Sequence, residues 1–112
     1  MSISFKSIQS VALLSLGDNT AYTCPVNTKA IIRALTVTNV SGAAATRTFN
    51  VVPSAGSVAT TNQVGGAVSV AAGTSDLSPE VVGMTLNAGD TLHIAAGTAT
   101  ALSFTGTILE IV

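Results

Sequence analysis

The sequence predicts an all-β protein, an antiparallel sandwich or barrel of about seven or eight strands. Apolar and polar residues alternate with a period of two along most of the chain. Turn-forming residues recur about every 8 to 12 residues, as they do between the short strands of such folds. No segment shows the roughly 3.6-residue apolar period of a helix. These observations predict one sandwich domain over residues 1–112.

The first strand in the predicted order lies in residues 1–10, where Ile3 and Phe5 alternate with Lys6. Two interpretations of residues 1–20 stay open. They form the first strand of the sheet, or they form an arm that adds to the sheet edge of a neighbouring molecule.

The clearest strand covers residues 29 to 40, where β-branched residues are frequent and Arg33 shares one face with apolar neighbours. Residues 46 to 52 alternate around Arg47, and Pro53 ends this strand because proline cannot donate to a ladder. The linker between the two strands is short and rich in Ser, Gly and Ala. It therefore predicts a hairpin.

Two short apolar runs, residues 67–72 and 81–86, predict further strands. Segment 53–67 precedes the first of them. It is the longest loop-like stretch of the chain, and we expect it to be the most mobile.

The last third of the chain predicts two more strands. Turn residues at 87–90 lead into an alternating run at 91–95, which has the pattern of a hairpin arm. The final strand, residues 101–112, contains Gly106, which indicates a bulge or a close approach of another backbone.

The composition bounds the possible partners. Only 8% of the residues are charged, against about 25% in an ordinary soluble domain, and the net charge is −1. A chain that is 47% hydrophobic is not expected to be disordered, and one without a basic stripe is not expected to bind nucleic acid. No apolar run approaches the length of a membrane helix, so we expect a soluble, unprocessed chain that meets other protein.

Cys24 is the first candidate for a catalytic nucleophile, because it is the only cysteine and lies near two basic residues in the stretch AYTCPVNTKAIIRALTVTNVSG. A nucleophile would need an adjacent base, and the only histidine is His93. No nucleophile signature surrounds Cys24, so we predict a buried hydrophobe. No residue spacing indicates a metal or cofactor site, and we expect no enzymatic activity.

Five residues are candidate contacts with a partner protein: Phe5, Lys6, Arg33, Arg47 and His93. The two arginines lie among apolar strand residues, where contact with a partner explains their charge. The alternative is a stem packed on the sheet and a head in water, with Glu110 as a plausible ion-pair partner. His93 lies between Leu92 and Ile94, so it faces solvent, a loop or another subunit.

Motifs over residues 21–112 resemble those of small all-β virion proteins of tailed bacteriophages. They are a Y-T-x-P-x-x-x-x-A-x-I opening segment, a T-N-x-S-G hairpin and an L-x-x-G-D-T-L/I turn, carried here by Tyr22, Thr23, Pro25, Ala30, Ile32, Thr38, Asn39, Ser41, Gly42, Leu86, Gly89, Asp90, Thr91 and Leu92. Within that group the chain looks most like capsid cement or decoration proteins of epsilon15-like podophages. The departure is Cys24, where such proteins more often have an apolar residue.

The resemblance implies a jelly-roll sandwich that binds the major capsid protein on the outer surface of the virion, after synthesis in the host cytoplasm. It implies a homo-oligomer, with a dimer favoured and a trimer as the alternative. Two other functions stay open: a tail, baseplate or fibre component, and a sandwich that binds a glycan or another small molecule.

Overall fold

In the computed structural model, which describes residues 2–112, the chain folds as two antiparallel sheets packed face to face. Nine strands lie within these residues: β1 (Ile3–Gln9), β2 (Gly17–Thr23), β3 (Lys29–Asn39), β4 (Ala45–Val52), β5 (Gln63–Val70), β6 (Ser75–Asp76), β7 (Thr85–Leu86), β8 (Thr91–Ala96) and β9 (Leu102–Ile111). A single 3-10 turn at Thr60–Asn62 is the only helical element in this part of the chain.

Sheet 1 has the strand order β1-β9-β3-β6, with β7 also paired to β3, and sheet 2 has the order β2-β8-β4-β5. The long strands β1 to β4 alternate between the two sheets, and β8 and β9 insert between them. This is the order of a jelly roll. The predicted sandwich is therefore confirmed. The described residues hold nine strands, where about seven or eight were predicted. One of the eight strand positions, the one beside β3, is divided between the two-residue strands β6 and β7.

The predicted hairpin between the third and fourth strands is wrong. β3 pairs in sheet 1 and β4 pairs in sheet 2, so the linker crosses the end of the sandwich. The buried side chain of Asn39 holds this crossing, because its Nδ2 donates to the carbonyl oxygens of Ala43 at 2.8 Å and Val70 at 2.9 Å. The turn at residues 87–90 likewise crosses from β7 in sheet 1 to β8 in sheet 2.

Two apolar segments also differ from their prediction. Only the end of residues 81–86 forms a strand, since Gly83 has a left-handed φ of 92° that interrupts the extended run. β5 begins at Gln63, inside the segment expected to be loop. The preceding turn is held down by Asn50, whose Nδ2 donates to the carbonyl oxygen of Ala59 at 2.9 Å and to Asn62 Oδ1 at 2.8 Å.

The core lies between the sheets and takes apolar side chains from both. Its largest fully buried members include Ile32, Leu35, Phe49, Leu86, Leu92, Ile94, Leu102 and Ile108. Burial of such side chains is worth about 1.5–3 kcal/mol each and is the main stabilising contribution in a chain with so few ion pairs.

A bulge in β3 sets which of its side chains enter this core. The register against β9 shifts between Ile32 and Ala34, so Arg33 is the additional residue. Before the bulge Ile32 points inward, and after it Leu35 does. The sequence had placed Arg33 and Leu35 on one face, and this was wrong, because a bulge reverses the alternation of the residues that follow it. Gly106 faces this point of β3.

Arg47 was expected to contact a partner or to hold its head in water, and both expectations were wrong. Its side chain is 1% exposed and lies over the ring of Phe49, with the guanidinium carbon 4.4 Å from the ring centroid. Nε donates to Asp76 Oδ2 at 2.6 Å, and Nη2 donates to Glu80 Oε1. The β6–β7 segment of sheet 1 thus supplies the carboxylates that let a charge from sheet 2 be buried.

Ionisation of Asp76 is coupled to this cluster. Burial alone would raise the pKa of Asp76, but the hydrogen bond and the positive charge of Arg47 outweigh burial and hold the pKa below its ordinary value. A carboxyl with a lowered pKa stabilises the fold when ionised.

We predict that Gly106→Ala destabilises the fold by about 1–3 kcal/mol, because an added Cβ would lie 2.5 Å from the carbonyl oxygen of Ala34 and would force two paired backbones apart. Urea denaturation measures the loss. Gly42→Ala is the matched control, since a Cβ there meets nothing within 4 Å. Equal midpoints for the two variants would contradict the close approach.

We predict that Asp76→Asn flattens the acid dependence of stability. In the wild type, the stabilisation from ionised Asp76 is complete above the unfolded pKa of about 3.9 and is lost as the pH falls through the lower folded pKa. The amide of the variant cannot titrate, so its thermal midpoints recorded between about pH 2 and pH 6 should fall less steeply. In Arg47→Met the stabilisation from ionised Asp76 should shrink, because the hydrogen bond and charge that contribute most to lowering its pKa are removed. Parallel curves for wild type and Asp76→Asn would refute the coupling.

Candidate interaction surface on sheet 1

The outer face of sheet 1 carries exposed apolar side chains where the chain's first and last strands pair. In the sheet register Phe5 lies beside Leu109 and Leu109 lies beside Ile31, and the next row places Ile3 beside Ile111. We call these five residues the apolar patch. Phe5 is 69% exposed and Ile3 is 56% exposed, whereas the other three are half-buried by their neighbours.

Arg33 borders the apolar patch. As the bulge residue of β3 it is exposed, and its guanidinium carbon lies 6.0 Å from the centroid of the Phe5 ring. This is the outer limit of a cation–π contact. The structure therefore brings two of the predicted contact residues, Phe5 and Arg33, onto one surface.

Most of the rest of this face carries hydroxyl side chains, with Gln9 and Ala34 among them: Ser7, Thr36, Thr38, Ser75, Ser103, Thr105 and Thr107. The face of sheet 1 is thus divided into an apolar half and a half that is neutral and polar. Among the described residues, two cations lie on this face: Arg33 at the border between the halves, and the exposed Lys29 beside Ile111 at the end of the apolar patch.

Lys6 lies on the inner side of β1, at the sheet edge beside the patch. Its side chain is 51% exposed, and Nζ lies 5.7 Å from the centroid of the Tyr22 ring and 4.0 Å from Glu110 Oε2. Glu110 also accepts a hydrogen bond from the Tyr22 hydroxyl. The predicted pairing of Glu110 with an arginine is therefore wrong, because β9 places this carboxylate between the sheets.

Tyr22 is nearly buried in this group. Burial, together with the hydrogen bond and negative charge of Glu110, raises the pKa of the Tyr22 hydroxyl well above its ordinary value. The hydroxyl therefore stays protonated and continues to donate to Glu110. Through Tyr22 and Glu110, β9 of sheet 1 is joined to β2 of sheet 2.

His93 lies on the outer face of sheet 2, on the other side of the sandwich from Phe5. Nδ1 is 2.8 Å from Asp18 Oδ2, and Nε2 is 2.8 Å from Thr91 Oγ1. The ring is thus held by Asp18 of the neighbouring strand β2 and by Thr91 of its own strand β8, and the His93 side chain is 14% exposed. The structure does not bring His93 or Arg47 to the apolar patch.

The prediction that Cys24 is a buried hydrophobe is confirmed. It is 1% exposed, and its Sγ lies 3.3 Å from the carbonyl oxygen of Thr28 and 3.6 Å from that of Leu86. Burial and, to a smaller extent, the charges of Glu110 and Asp90 raise the pKa of the thiol. A protonated thiol surrounded by carbonyl acceptors is a poor nucleophile.

Sequence reasoning missed Ile31, Leu109 and Ile111. The signal was present at the end of the chain, where TILEIV places apolar residues on both faces of one strand. A sheet with one face on the core and the other in water ordinarily alternates instead.

Other kinds of site find little support in residues 2–112. No three His, Cys, Asp or Glu side chains among them converge as metal ligands. Two open depressions lie at the ends of the sandwich, one formed by the Ser10–Ser15 loop and one around Asn27 and Asn87, and Lys29 is the one titratable residue that lines them. No helix in this part of the chain is long and apolar enough to cross a membrane.

Comparison with known proteins identifies the fold. No protein-family model matches the chain, and no curated protein sequence is similar to it. The structure is similar to that of Bacillus endospore appendages, a family of disulfide-linked pili, with a TM-score of 0.52, 16% identity, and coverage of 97% of this chain and 86% of that one. Infectious bursal disease virus, Gt strain, gives a TM-score of 0.49 at 10% identity, with 97% of this chain matching 32% of the viral chain. At these identities, the similarity to the Bacillus structure shows the sandwich fold and leaves the function open.

Proposed function

We propose that this protein is a non-enzymatic structural component of a virion, a cement protein that binds the outer surface of an assembled capsid through sheet 1. The observation that carries the proposal is the apolar patch. Phe5 is the most exposed of the chain's aromatic side chains described in the structure, and it lies on a strand paired within the sheet. Exposed apolar clusters on a rigid sheet are typical of protein contacts.

The chemistry of the patch fits a protein partner better than a small ligand. Aromatic and arginine side chains are enriched where interfaces bind most strongly, and here Phe5 and Arg33 lie together. A glycan or small-molecule site needs a concave surface with converging polar groups. The face of sheet 1 is instead apolar or lined with separate hydroxyls.

The motifs that resemble phage virion proteins support the capsid, and specifically the major capsid protein, as the partner. The mechanism is mass action. A protein that binds the assembled shell and not its free subunits stabilises the shell by an amount that grows with its concentration over Kd. A low net charge suits this role. A capsid lattice brings many copies close together, and highly charged copies would repel one another.

We predict that capsids carrying the protein disassemble at a higher temperature than the same capsids without it. The shift should grow with added protein until the sites are filled, because binding to the assembled state alone stabilises it. Light scattering during heating measures the midpoint. Equal midpoints would refute a cement role, and density for the protein along the tail alone in virion images would replace the capsid with a tail component.

We predict that Phe5→Ala weakens capsid binding by on the order of thirtyfold, the effect of losing about 2 kcal/mol at an interface centre. Arg33→Ala should weaken binding less, since its charge lies at the border of the patch. Sedimentation of capsids with bound protein measures both. Val58→Ala is the control, because Val58 is an exposed apolar residue outside sheet 1. The free variants should keep the circular dichroism spectrum of the folded wild type, and unchanged binding by Phe5→Ala would exclude the patch.

A further inference from the structure

Sheet edges are open to pairing with other chains unless they are interrupted, and three of the four edges here are interrupted. β2 is bulged between Thr20 and Tyr22, and β5 has two register shifts against β4. β6 and β7 are two residues long each. β1 differs from all of these. Its seven residues pair with β9 in one unbroken register, and it contains no proline.

The free edge of β1 presents a regular row of backbone groups. Ser2 and Val112 exchange backbone hydrogen bonds, and Ser10 N donates to the carbonyl oxygen of Phe104, so the even-numbered residues of β1 face β9. The N–H and C=O groups of the odd-numbered residues therefore point away from the sheet. These residues are Ile3, Phe5, Ser7 and Gln9, and among the described strands only β9 pairs with β1.

We infer that β1 is a self-association edge, and that two copies of this chain pair their β1 strands antiparallel about a two-fold axis at Phe5. Each Phe5 then lies opposite Phe5 of the second copy, with Ile3 opposite Ser7. The aromatic rings meet on the outer face, where cross-strand aromatic pairs stabilise a sheet. The interface is self-complementary, as a two-fold requires.

Lys6 selects this register. With the axis at Phe5, Lys6 lies opposite Ser4 of the second copy, and its charge stays beside Glu110 of its own chain. Moving the axis to Lys6 would place two lysines directly opposite each other, which is unfavourable. Moving it to Ser7 would pair Phe5 with Gln9 and separate the two aromatic rings. Moving it toward the N-terminus would shorten the paired segment.

The dimer has a consequence for binding. Pairing at β1 makes one continuous sheet from the two copies of sheet 1, and the two apolar patches meet across the axis on a single outer face. A capsid contact through this face would be bivalent, which raises the apparent affinity without any new contact. This consequence rests on the proposed function, whereas the dimer itself does not.

The test compares Ser7→Pro with Ser7→Ala in the isolated full chain. Proline removes the N–H that points to the second copy and leaves the bonds between β1 and β9, because edge strands accept proline where the N–H faces outward. Sedimentation equilibrium should show a dimer for wild type and Ser7→Ala, and self-association weaker by about tenfold to a hundredfold for Ser7→Pro. A monomeric wild type, or a Ser7→Pro protein that dimerises as tightly as Ser7→Ala, overturns the inference.

The register is tested by oxidising variants that each carry one added cysteine. This experiment also tests the dimer if the Ser7→Pro variant does not fold. Residues facing each other at position 5 have Cα atoms about 5.5 Å apart, within disulfide range. Phe5→Cys should therefore cross-link as a dimer and Ser7→Cys should not, while Cys24 stays buried in both. Cross-linking at Ser7 alone would overturn the register. No capsid is present in either experiment, so failure here leaves the cement role to its own test.

Discussion

The pairing of β3 with β9 is the interaction on which the rest of this structure depends. β9 supports β1 on its other side, and β3 supports β6 and β7, so sheet 1 exists only when these two strands are joined. The bulge within this pair then determines which side chains of β3 point into the core and which lie on the outer face. It buries Ile32 and Leu35 on the same side although they are three residues apart, and it leaves Arg33 on the outside near Phe5.

Most of the long strands could be predicted from the sequence, because alternation with a period of two is a local property, although the bulge in β3 reverses it partway along that strand. Their connections could not. A short Ser/Gly/Ala linker suits a hairpin, yet the linker after β3 crosses between sheets, and its geometry depends on Asn39 contacting the distant carbonyl of Val70. Contacts between residues so far apart in sequence have no signal in a local pattern.

The dependence on residues distant in sequence also explains why only some of the candidate contact residues lie on the exposed face of sheet 1. Phe5 and Arg33 could be identified as unusual strand residues, and the structure brings them together. Arg47 has the same local pattern as Arg33, but its side chain is buried. The burial is possible because Asp76 and Glu80, from a later segment that belongs to the opposite sheet, form ion pairs with it. Whether a strand arginine is buried or exposed depends on which carboxylates the fold brings near it, and the residues beside it in sequence do not give this information.

The pairing of the first strand with the last also affects how the molecule folds. Ile3 and Ile111 are neighbours in sheet 1, so this contact closes a loop that contains nearly the whole chain. Long closures carry the largest entropic cost, and folds dominated by distant pairings form slowly. β9 therefore has an unpaired edge until β1 arrives. During that interval the β1 strand of another copy can occupy the same place, so concentrated refolding favours dimers that have exchanged their first strands.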